Sequence, residues 1–458
     1  MSGVGKSLAA FKAYDVRGRL GEELNEGIAR RIGRAFAEVT GAGRVVLARD
    51  CRLSSDALAT AVAEGLMAAG VEVLDLGLAG TEEMYFATDA LEAGGGIMVT
   101  ASHNPMDYNG LKMVGRGAVP LSEAEFAAVR DLAEGEGFAA ARAGARVTAG
   151  GGLRADYVAR VLGFVDVARL RPLTVLVNCG NGAAGPTIDA LAEGLAARGA
   201  ALRFQRMFHA PDGRFPNGIP NPLLADNQPV TAAAVVAAGA DLGVALDGDF
   251  DRCFLFDASG AFVPGEYVVG LLAEAFLAKE PGTLVIHDPR VVWNTQDVVA
   301  RAGGRAVMAR TGHVYLKRAM RETGAVYGGE MSAHHYFRDF MACDSGMIPW
   351  LLVVEVMGRT GRSLADLVAG MRAGFPSSGE INFRVADVAE AVRRVEAALA
   401  PEAVARDETD GMSLEFGHWR LNLRASNTEP LLRLNVEARG DAALVAQGVA
   451  RVRALIGA

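Results

Sequence analysis

The sequence predicts an α/β protein of four parts: three related α/β domains with mixed sheets, then a C-terminal α+β domain. Three observations carry this. A β-α-β pattern recurs three times at intervals of roughly 100–120 residues, too long for a solenoid repeat. In each copy a late strand runs into an unusual polar loop. After about residue 375 the pattern changes to short strands with an intervening and a terminal helix.

In the first copy, GRVVLARD (43–50) reads as a β-branched strand. DALATAVAEGLMAAG (56–70) has helical apolar spacing and a glycine stop, and VEVLDLGL (71–78) and GIMVT (96–100) are further strands. The second runs TVLVNCG (174–180), a helix over 187–200, LRFQRMF (202–208) and LGVALDGDFDR (242–252). The third runs TLVIHDPR (283–290), a helix over 291–302, RAVMARTGH (305–313) and AVYGGEMSAHH (325–335). The terminal part holds INFRV (381–385), a helix over 387–399, MSLEFG (412–417), WRLNLRAS (419–426), LLRLNVEA (431–438) and a last helix. The expected domains are 1–150, 151–253, 254–374 and 375–458, with 373–379 as the linker into the last.

Composition narrows the class. The 458 residues are 51% hydrophobic and 22% charged, as in ordinary globular chains. A net charge of −8 without like-charge runs gives no footprint for nucleic acid. The four cysteines, Cys51, Cys179, Cys253 and Cys343, form no C-x-x-C pair and fit reduced thiols. Lys12 interrupts the N-terminal apolar stretch too early for a signal peptide, and the apolar run 346–354 is far short of the ~20 residues of a membrane span. Gly5-Lys6-Ser7 mimics the end of a phosphate-binding loop but lacks its first glycine and preceding strand. The reading is a cytoplasmic, enzyme-sized protein with neither membrane nor nucleic acid as partner.

Ligands of open α/β sheets bind beyond the carboxyl ends of the strands, where the polar loops fall. In TASHNP (100–105), Ser102 beside His103 and Asn104 offers a nucleophile or phosphoryl carrier, although Ser, Asn and Pro also simply build turns. Lys112 adds a cation able to neutralise a phosphate. In DGDFDR (247–252), Asp247, Asp249 and Asp251 alternate, an arrangement that repels itself unless a cation compensates. Arg252 and Ala258 stand where a calcium-binding EF-hand would need Gly and Glu, and an all-oxygen set favours Mg²⁺ over zinc. In GEMSAHH (329–335), Glu330, Ser332 and His334 alternate and suit sugar hydroxyls or a satisfied surface loop. In RASNTEP (424–430), Arg424, Ser426, Asn427 and Thr428 suit a phosphate cradle or helix capping.

Together, AYDVRG (13–18), TASHNPMDYNGLKMV (100–114), PNGIPNPL (216–223), DGDFDR, TGH (311–313), GEMSAHHYF (329–337) and RASNTEP make the chain resemble the α-D-phosphohexomutase superfamily over essentially its whole length, most closely its bacterial phosphomannomutase (phosphomannomutase/phosphoglucomutase) branch. That resemblance implies a heart-shaped four-domain architecture with a central cleft. It implies that Ser102 is a phosphoserine whose phosphate, with Asp247, Asp249 and Asp251, holds one Mg²⁺, and that His103 belongs to the catalytic loop. Glu330, Ser332 and His334 would meet the sugar, and Arg424, Ser426, Asn427 and Thr428 the phosphate not being transferred. Tyr14, Arg17, Lys112, Arg252 and His313 match positions that contact phosphate or assist proton transfer, with Lys112, Arg17 and His313 open as general base. Arg290 stands where some relatives carry lysine, keeping the charge but changing a point donor to a fork.

The implied reaction interconverts hexose 6- and 1-phosphates through a hexose 1,6-bisphosphate, which also serves as activator. Hexose phosphates are then the partners, with the chain a monomer or weak dimer. Met331 in the sugar loop resembles the mannose branch, which feeds GDP-mannose, whereas glucose-specific relatives more often carry a second acid there. A dual or glucose-preferring enzyme is the alternative; a glucosamine mutase, a metal-dependent phosphatase and a non-catalytic sugar-phosphate binder are remoter ones. His287, His418 and the three tryptophans are expected to be structural.

Overall fold

A computed structural model describes residues 8–135, 137–142, 147–149, 153–425 and 431–457. The chain forms two compact units. One runs to Phe262 and takes in Asp339–Arg359; the other holds Val263–Arg338 and everything from Thr360 onward. Among the described residues no helix is long and apolar enough to cross a membrane.

The first unit contains two sheets. The first has six strands in the order Val16–Arg19, Tyr108–Gly115, Gly95–Val99, Arg44–Arg49, Glu72–Leu78 and Val147–Ala149. Its middle is parallel, and Tyr108–Gly115 runs antiparallel to both neighbours. Helix Glu26–Thr40 starts where the Asn25 side chain accepts from the Ile28 N–H, and buries Ile28, Ile32 and Phe36. It crosses helix Ser55–Ala68 so closely that a Cβ on Gly65 would lie 2.0 Å from the Arg30 carbonyl oxygen. Glycine there is a packing requirement. The second sheet orders Cys253–Asp257, Leu242–Leu246, Thr174–Asn178 and Arg203–Met207, with the first of these antiparallel to the second and the rest parallel.

One sequence expectation shifts here. The boundary expected at 253/254 cuts into Cys253–Asp257, a strand paired along its whole length with Leu242–Leu246. The short loop between them lets the chain fold back as a hairpin before it leaves the sheet. The apolar run 346–354 becomes helix Met347–Thr360, whose first N–H groups are met by Glu82: Gly346 and Met347 donate to Oε1 at 3.0 and 3.2 Å. The carboxyl oxygens answer the helix's orphan donors, while burial pushes Glu82 up to about 8, and the contact ties this helix to the first unit.

In the second unit, strands Arg305–Met308, Leu284–His287, Tyr327–Gly329 and His335–Phe337 lie side by side, the first three parallel and the last antiparallel. A wholly antiparallel sheet follows, ordered Ser377–Arg384, Leu431–Ala438, Trp419–Ala425, Met412–Glu415 and Ala405–Asp407. Helices Val388–Leu399 and Ala442–Ile456 cover it, burying Val395, Leu399, Val452 and Ile456. The two sheets are joined by Glu437, which accepts from the N–H groups of Val292 and Trp293 at 2.8 and 3.1 Å, at the start of helix Trp293–Arg301.

The segment expected as linker, 373–379, is mostly structured. Helix Leu364–Gly374 runs into it and the strand from Ser377 begins within it, with a bulge between Ser377 and Glu380 and Gly379 at φ +64°. Pro376 and the small residues read as a linker because a bulged edge needs the same residue types. Trp293, Trp350 and Trp419 are buried, as expected, and so is His287; His418 is exposed.

Candidate active site

The first unit gathers seven of the sequence-predicted residues. Ser102 follows strand Gly95–Val99 at φ +49°, a left-handed conformation uncommon for a residue with a side chain. Its loop is held from outside. The Arg52 guanidinium donates through Nη2 to the carbonyls of Ser102 (2.9 Å) and Asn104 (2.6 Å), and through Nη1 to those of Pro105 (2.8 Å) and Tyr108 (3.1 Å). Asp50 accepts from the Arg52 N–H at 2.9 Å and from Thr100 Oγ1 at 2.8 Å, and Thr100 Oγ1 in turn accepts from the Ser102 N–H at 2.8 Å. One buried arginine thus gathers four carbonyls of this loop around a single guanidinium.

Opposite lies the acidic loop of the second sheet. Ser102 Oγ donates to Asp247 Oδ2 at 2.6 Å and lies 2.9 Å from His103 Nδ1. Arg252 donates to Asp247 Oδ2 from Nε (2.9 Å) and Nη2 (2.8 Å), and its Nη2 also reaches His103 Nδ1. The approach requires Gly248: a Cβ there would fall 2.5 Å from the Ser102 carbonyl oxygen. Lys112, paired with Met98 on strand Tyr108–Gly115, donates to Asp249 Oδ2 at 2.8 Å and to Asp251 Oδ2. Thr81 Oγ1 donates to Asp249 Oδ2 at 2.6 Å. Arg17 borders the group through Asn104 Oδ1, 3.0 Å away, while Tyr14 lies half-buried in the bend before strand Val16–Arg19.

Charge decides what these groups are. Burial pushes the Asp247 carboxyl up to about 6, against the pull of Arg252. Burial acts on Asp249 the same way, but Lys112 and Thr81 outweigh it and hold Asp249 well below the usual carboxylate range. Burial works against the Lys112 ammonium too, and Asp249 with Asp251 overcome it, so Lys112 stays a cation. Burial, then Arg252 and Arg17, keep His103 neutral.

Asp247, Asp249 and Asp251 each bring one carboxylate oxygen within 4.8 Å of the others. Asp249 Oδ1 and Asp251 Oδ1 are buried without a hydrogen-bond partner among the described residues. An all-oxygen, trianionic set with two unused lone-pair donors fits a hard divalent cation such as Mg²⁺.

The second unit forms its own cluster. Glu330 accepts from the Gly312 N–H at 2.8 Å through Oε1 and from the Tyr336 hydroxyl at 2.7 Å through Oε2. Burial raises its pKa, but His334 and Arg290 prevail and keep it ionised. Arg290 Nη2 donates to Ser332 Oγ at 3.1 Å and pairs closely with Asp288. The Arg290 carbonyl, like that of Pro289, accepts from Arg420, which is itself paired with Glu437 at 2.8 Å. His334 stacks on Tyr336 with ring centroids 6.1 Å apart, and His313 begins helix His313–Thr323 next to Gly312. Arg424 meets Glu380 Oε2 at 2.7 Å. Ser426, Asn427 and Thr428 lie outside the described residues. Met331, read from sequence as a sugar discriminator, turns inward: it is buried, with Sδ 3.3 Å from Asn435 Nδ2.

Arg52, Asp50, Thr81, Glu380 and Glu437 escaped the sequence reading. Asp50 and Arg52 had a usable signal, a charged pair just past a buried strand where such sheets place their sites. Thr81 had none, and Glu380 was hidden by the apparent linker.

Four family models match the chain in order: phosphoglucomutase/phosphomannomutase α/β/α domain I over 8–140, domain II over 155–260, domain III over 264–373 and the C-terminal domain over 380–455. A phosphomannomutase of Salmonella montevideo is 57% identical over 444 residues, covering 96% of this chain and 97% of its own. A protein of Xanthomonas campestris pv. campestris (strain B100) described as phosphohexose mutases is 56% identical, with the same two coverages. The crystal structure of a phosphoglucomutase/phosphomannomutase family protein from Burkholderia thailandensis superposes with a TM-score of 0.86 at 33% identity, covering 98% of this chain and 97% of that one. With four matching domains in order and relatives this similar along nearly its full length, the chain belongs to the phosphoglucomutase/phosphomannomutase family.

Proposed function

We propose that this chain is a phosphomannomutase, an isomerase that interconverts mannose 6-phosphate and mannose 1-phosphate with Ser102 as its phosphoryl carrier. The observation that carries the reading is the 2.6 Å contact between Ser102 Oγ and Asp247 of the carboxylate trio. It brings a nucleophilic oxygen to a site that fits a divalent cation, within reach of two fixed cations. The 57% identity to a phosphomannomutase points to the same reaction.

In this mechanism the phosphorus–oxygen bond at Ser102 breaks as one forms to the free hydroxyl of a hexose monophosphate, giving a 1,6-bisphosphate. The second phosphoryl group then returns to Ser102. Such transfer depends on positioning and charge neutralisation more than on covalent help from the protein. Arg252 faces Ser102 Oγ at 3.4 Å and can follow the charge on the moving group. Asp247, Asp249 and Asp251, with the phosphate of Ser102, would hold Mg²⁺, which when bound neutralises charge on the phosphoryl oxygens.

Lys112, held as a cation between two carboxylates, is a charge-neutralising group rather than the base. The Ser102 hydroxyl proton points to Asp247 Oδ2, whose carboxyl burial pushes up to about 6, so Asp247 is placed to take it when the Ser102 oxygen attacks the bisphosphate. His103, kept neutral and accepting from Arg252, positions the serine 2.9 Å away. Arg17 and His313 remain for the sugar hydroxyl, with Tyr14 beside Arg17 at the phosphate. In the second unit Glu330, Ser332 and His334 bind sugar hydroxyls, and Arg290 and Arg424 grip the resting phosphate, with Ser426, Asn427 and Thr428. Mannose and glucose differ only at the C2 hydroxyl. The inward turn of Met331 and the broader name of the Xanthomonas relative favour glucose phosphate as a second substrate.

Steady-state assays of mannose 1-phosphate and glucose 1-phosphate, with Mg²⁺ and a trace of hexose 1,6-bisphosphate, test this. Isomerisation of mannose 1-phosphate is expected, with kcat/KM for glucose 1-phosphate within or below about tenfold, a difference of ~1.4 kcal/mol. Release of inorganic phosphate without isomerisation would refute the mutase in favour of a hydrolase.

A further inference from the structure

Arg290, Arg424 and Arg433 point into one place in the second unit, and all three reach a single carboxylate. Glu380 Oε2 lies 2.7 Å from Arg424 Nη2 and 3.7 Å from Arg290 Nη1, and Glu380 Oε1 lies 3.7 Å from Arg433 Nη1. Its two oxygens therefore divide three guanidinium groups between them, as the oxygens of a phosphate would. The backbone delivers it there: Glu380 follows the bulge and the left-handed Gly379, and such irregularities re-aim a side chain.

We propose that Glu380 is a built-in counter-anion of the phosphate cradle, which substrate phosphate must displace and which returns when the phosphate leaves. The inference rests on the reading of Arg424 and Arg290 as phosphate-gripping residues. Arg290 and Arg424 are largely buried, and without an anion their charges repel each other in a poorly solvated place. Asp288 pairs with Arg290 and Asp410 lies 3.9 Å from Arg424, but among these carboxylates Glu380 is the one that all three guanidinium groups share. Arg424 Nε is buried and has no hydrogen-bond partner among the described residues, so the cradle keeps unused donor capacity toward a larger anion with more oxygens and more charge. Phosphate has both, and can replace Glu380 without leaving the arginines bare.

The device suits a reaction with a bisphosphate intermediate. Such an enzyme must release one phosphate of its ligand and grip the other, and an anion that refills the cradle lowers the barrier to letting go. A cradle occupied by its own carboxylate binds phosphate more weakly than an open one, by the fraction of time it stands open.

Isothermal titration calorimetry at low ionic strength, with inorganic phosphate and mannose 6-phosphate as probes, tests the proposal on the full chain. Glu380→Gln is expected to bind both probes roughly three- to tenfold more tightly, with the gain shrinking as salt screens the cradle. In turnover its KM should fall, and kcat should fall with it as release slows. Glu380→Asp, which retracts the carboxylate by one methylene, should shift binding in the same direction and serves if the glutamine variant does not fold. Unchanged or weaker binding by a folded Glu380 variant overturns the proposal, since Glu380 would then only position the arginines. Arg424→Ala separates the two readings: it must weaken binding of both probes if the cradle grips phosphate, and if it does not, the cradle reading itself is wrong.

Discussion

Ser102 Oγ donates to Asp247 Oδ2 at 2.6 Å across 145 residues of sequence. One contact thereby joins the loop that ends a strand of the first sheet to the acidic loop of the second. It exists because residue 248 is glycine, because Arg52 gathers the carbonyls around Ser102, and because Arg252 and Lys112 offset three carboxylates that would otherwise repel.

Ser102→Ala should abolish isomerisation, lowering kcat by on the order of a thousandfold or more, about 4 kcal/mol of transition-state stabilisation. Mass spectrometry of the unaltered chain after exposure to hexose 1,6-bisphosphate should find one phosphoryl group on Ser102 and none on the variant. A phosphorylated variant, or retained activity, would exclude Ser102 as carrier.

Lys112→Met removes the cation shared by two buried carboxylates. Removing one partner of a buried ion pair costs about 3–5 kcal/mol, and a divalent cation at the same carboxylates should recover part of it. Thermal unfolding of the variant should therefore respond to Mg²⁺ more strongly than that of the parent. An equal Mg²⁺ response in both would show that Lys112 and the ion do not share the aspartates' charge, and no response in either that the aspartates do not bind the ion.

Arg52→Lys keeps the charge but replaces a fork by a point donor. The Ser102 loop would lose several of its four anchors, and kcat is expected to fall about ten- to a hundredfold with KM nearly unchanged, because misplacement of a reacting atom is felt in the transition state. A matched rise in KM with unchanged kcat would show Arg52 serving substrate binding instead.

Gly248→Ala should be worse than its size suggests. Its Cβ would press on the Ser102 carbonyl oxygen, and overpacking of this kind costs about 1–3 kcal/mol. Activity should fall at least tenfold while the variant stays folded at room temperature, as read by circular dichroism and the coupled assay together. Wild-type activity would mean that the two loops separate in the working enzyme.

Two histidines of the third sheet, on the strands either side of Tyr327–Gly329, set an acid limit on stability. Burial lowers His287 to about 4, with Arg420 adding to it, and burial with His334 lowers His335 to about 3. Both are depressed below the unfolded value near 6.5, so the unfolded chain binds more protons in this range and stability falls as pH drops from about 6.5 toward 4. Each contributes a slope of up to ~1.4 kcal/mol per pH unit. Urea denaturation at several pH values should show this slope, and His335→Gln should flatten it by one proton. An unaltered slope in that variant would place the acid sensitivity elsewhere.

Local patterns in the chain were enough to reveal the repeat of β-α-β units, the α+β end domain and the loops that hold Ser102, the three aspartates, Glu330 and Arg424. Each of these is a local pattern: strand and helix periodicities, turn residues, and polar side chains packed too densely for a solvated loop. Which of these residues meet, and in what charge state, follows from the packing of distant segments. Nothing in TASHNP announces that Arg52, fifty residues earlier, clamps it, or that Asp249 and Lys112 neutralise each other across 137 residues. Glu380 shows the limit most plainly. In sequence it closes a Pro-Ser-Ser-Gly stretch that reads as a linker, whereas in the fold a bulge turns its carboxylate among three arginines drawn from different strands and turns. Local patterns specify elements because their forces act within a few residues; charge balance and close approach depend on where distant segments come to rest.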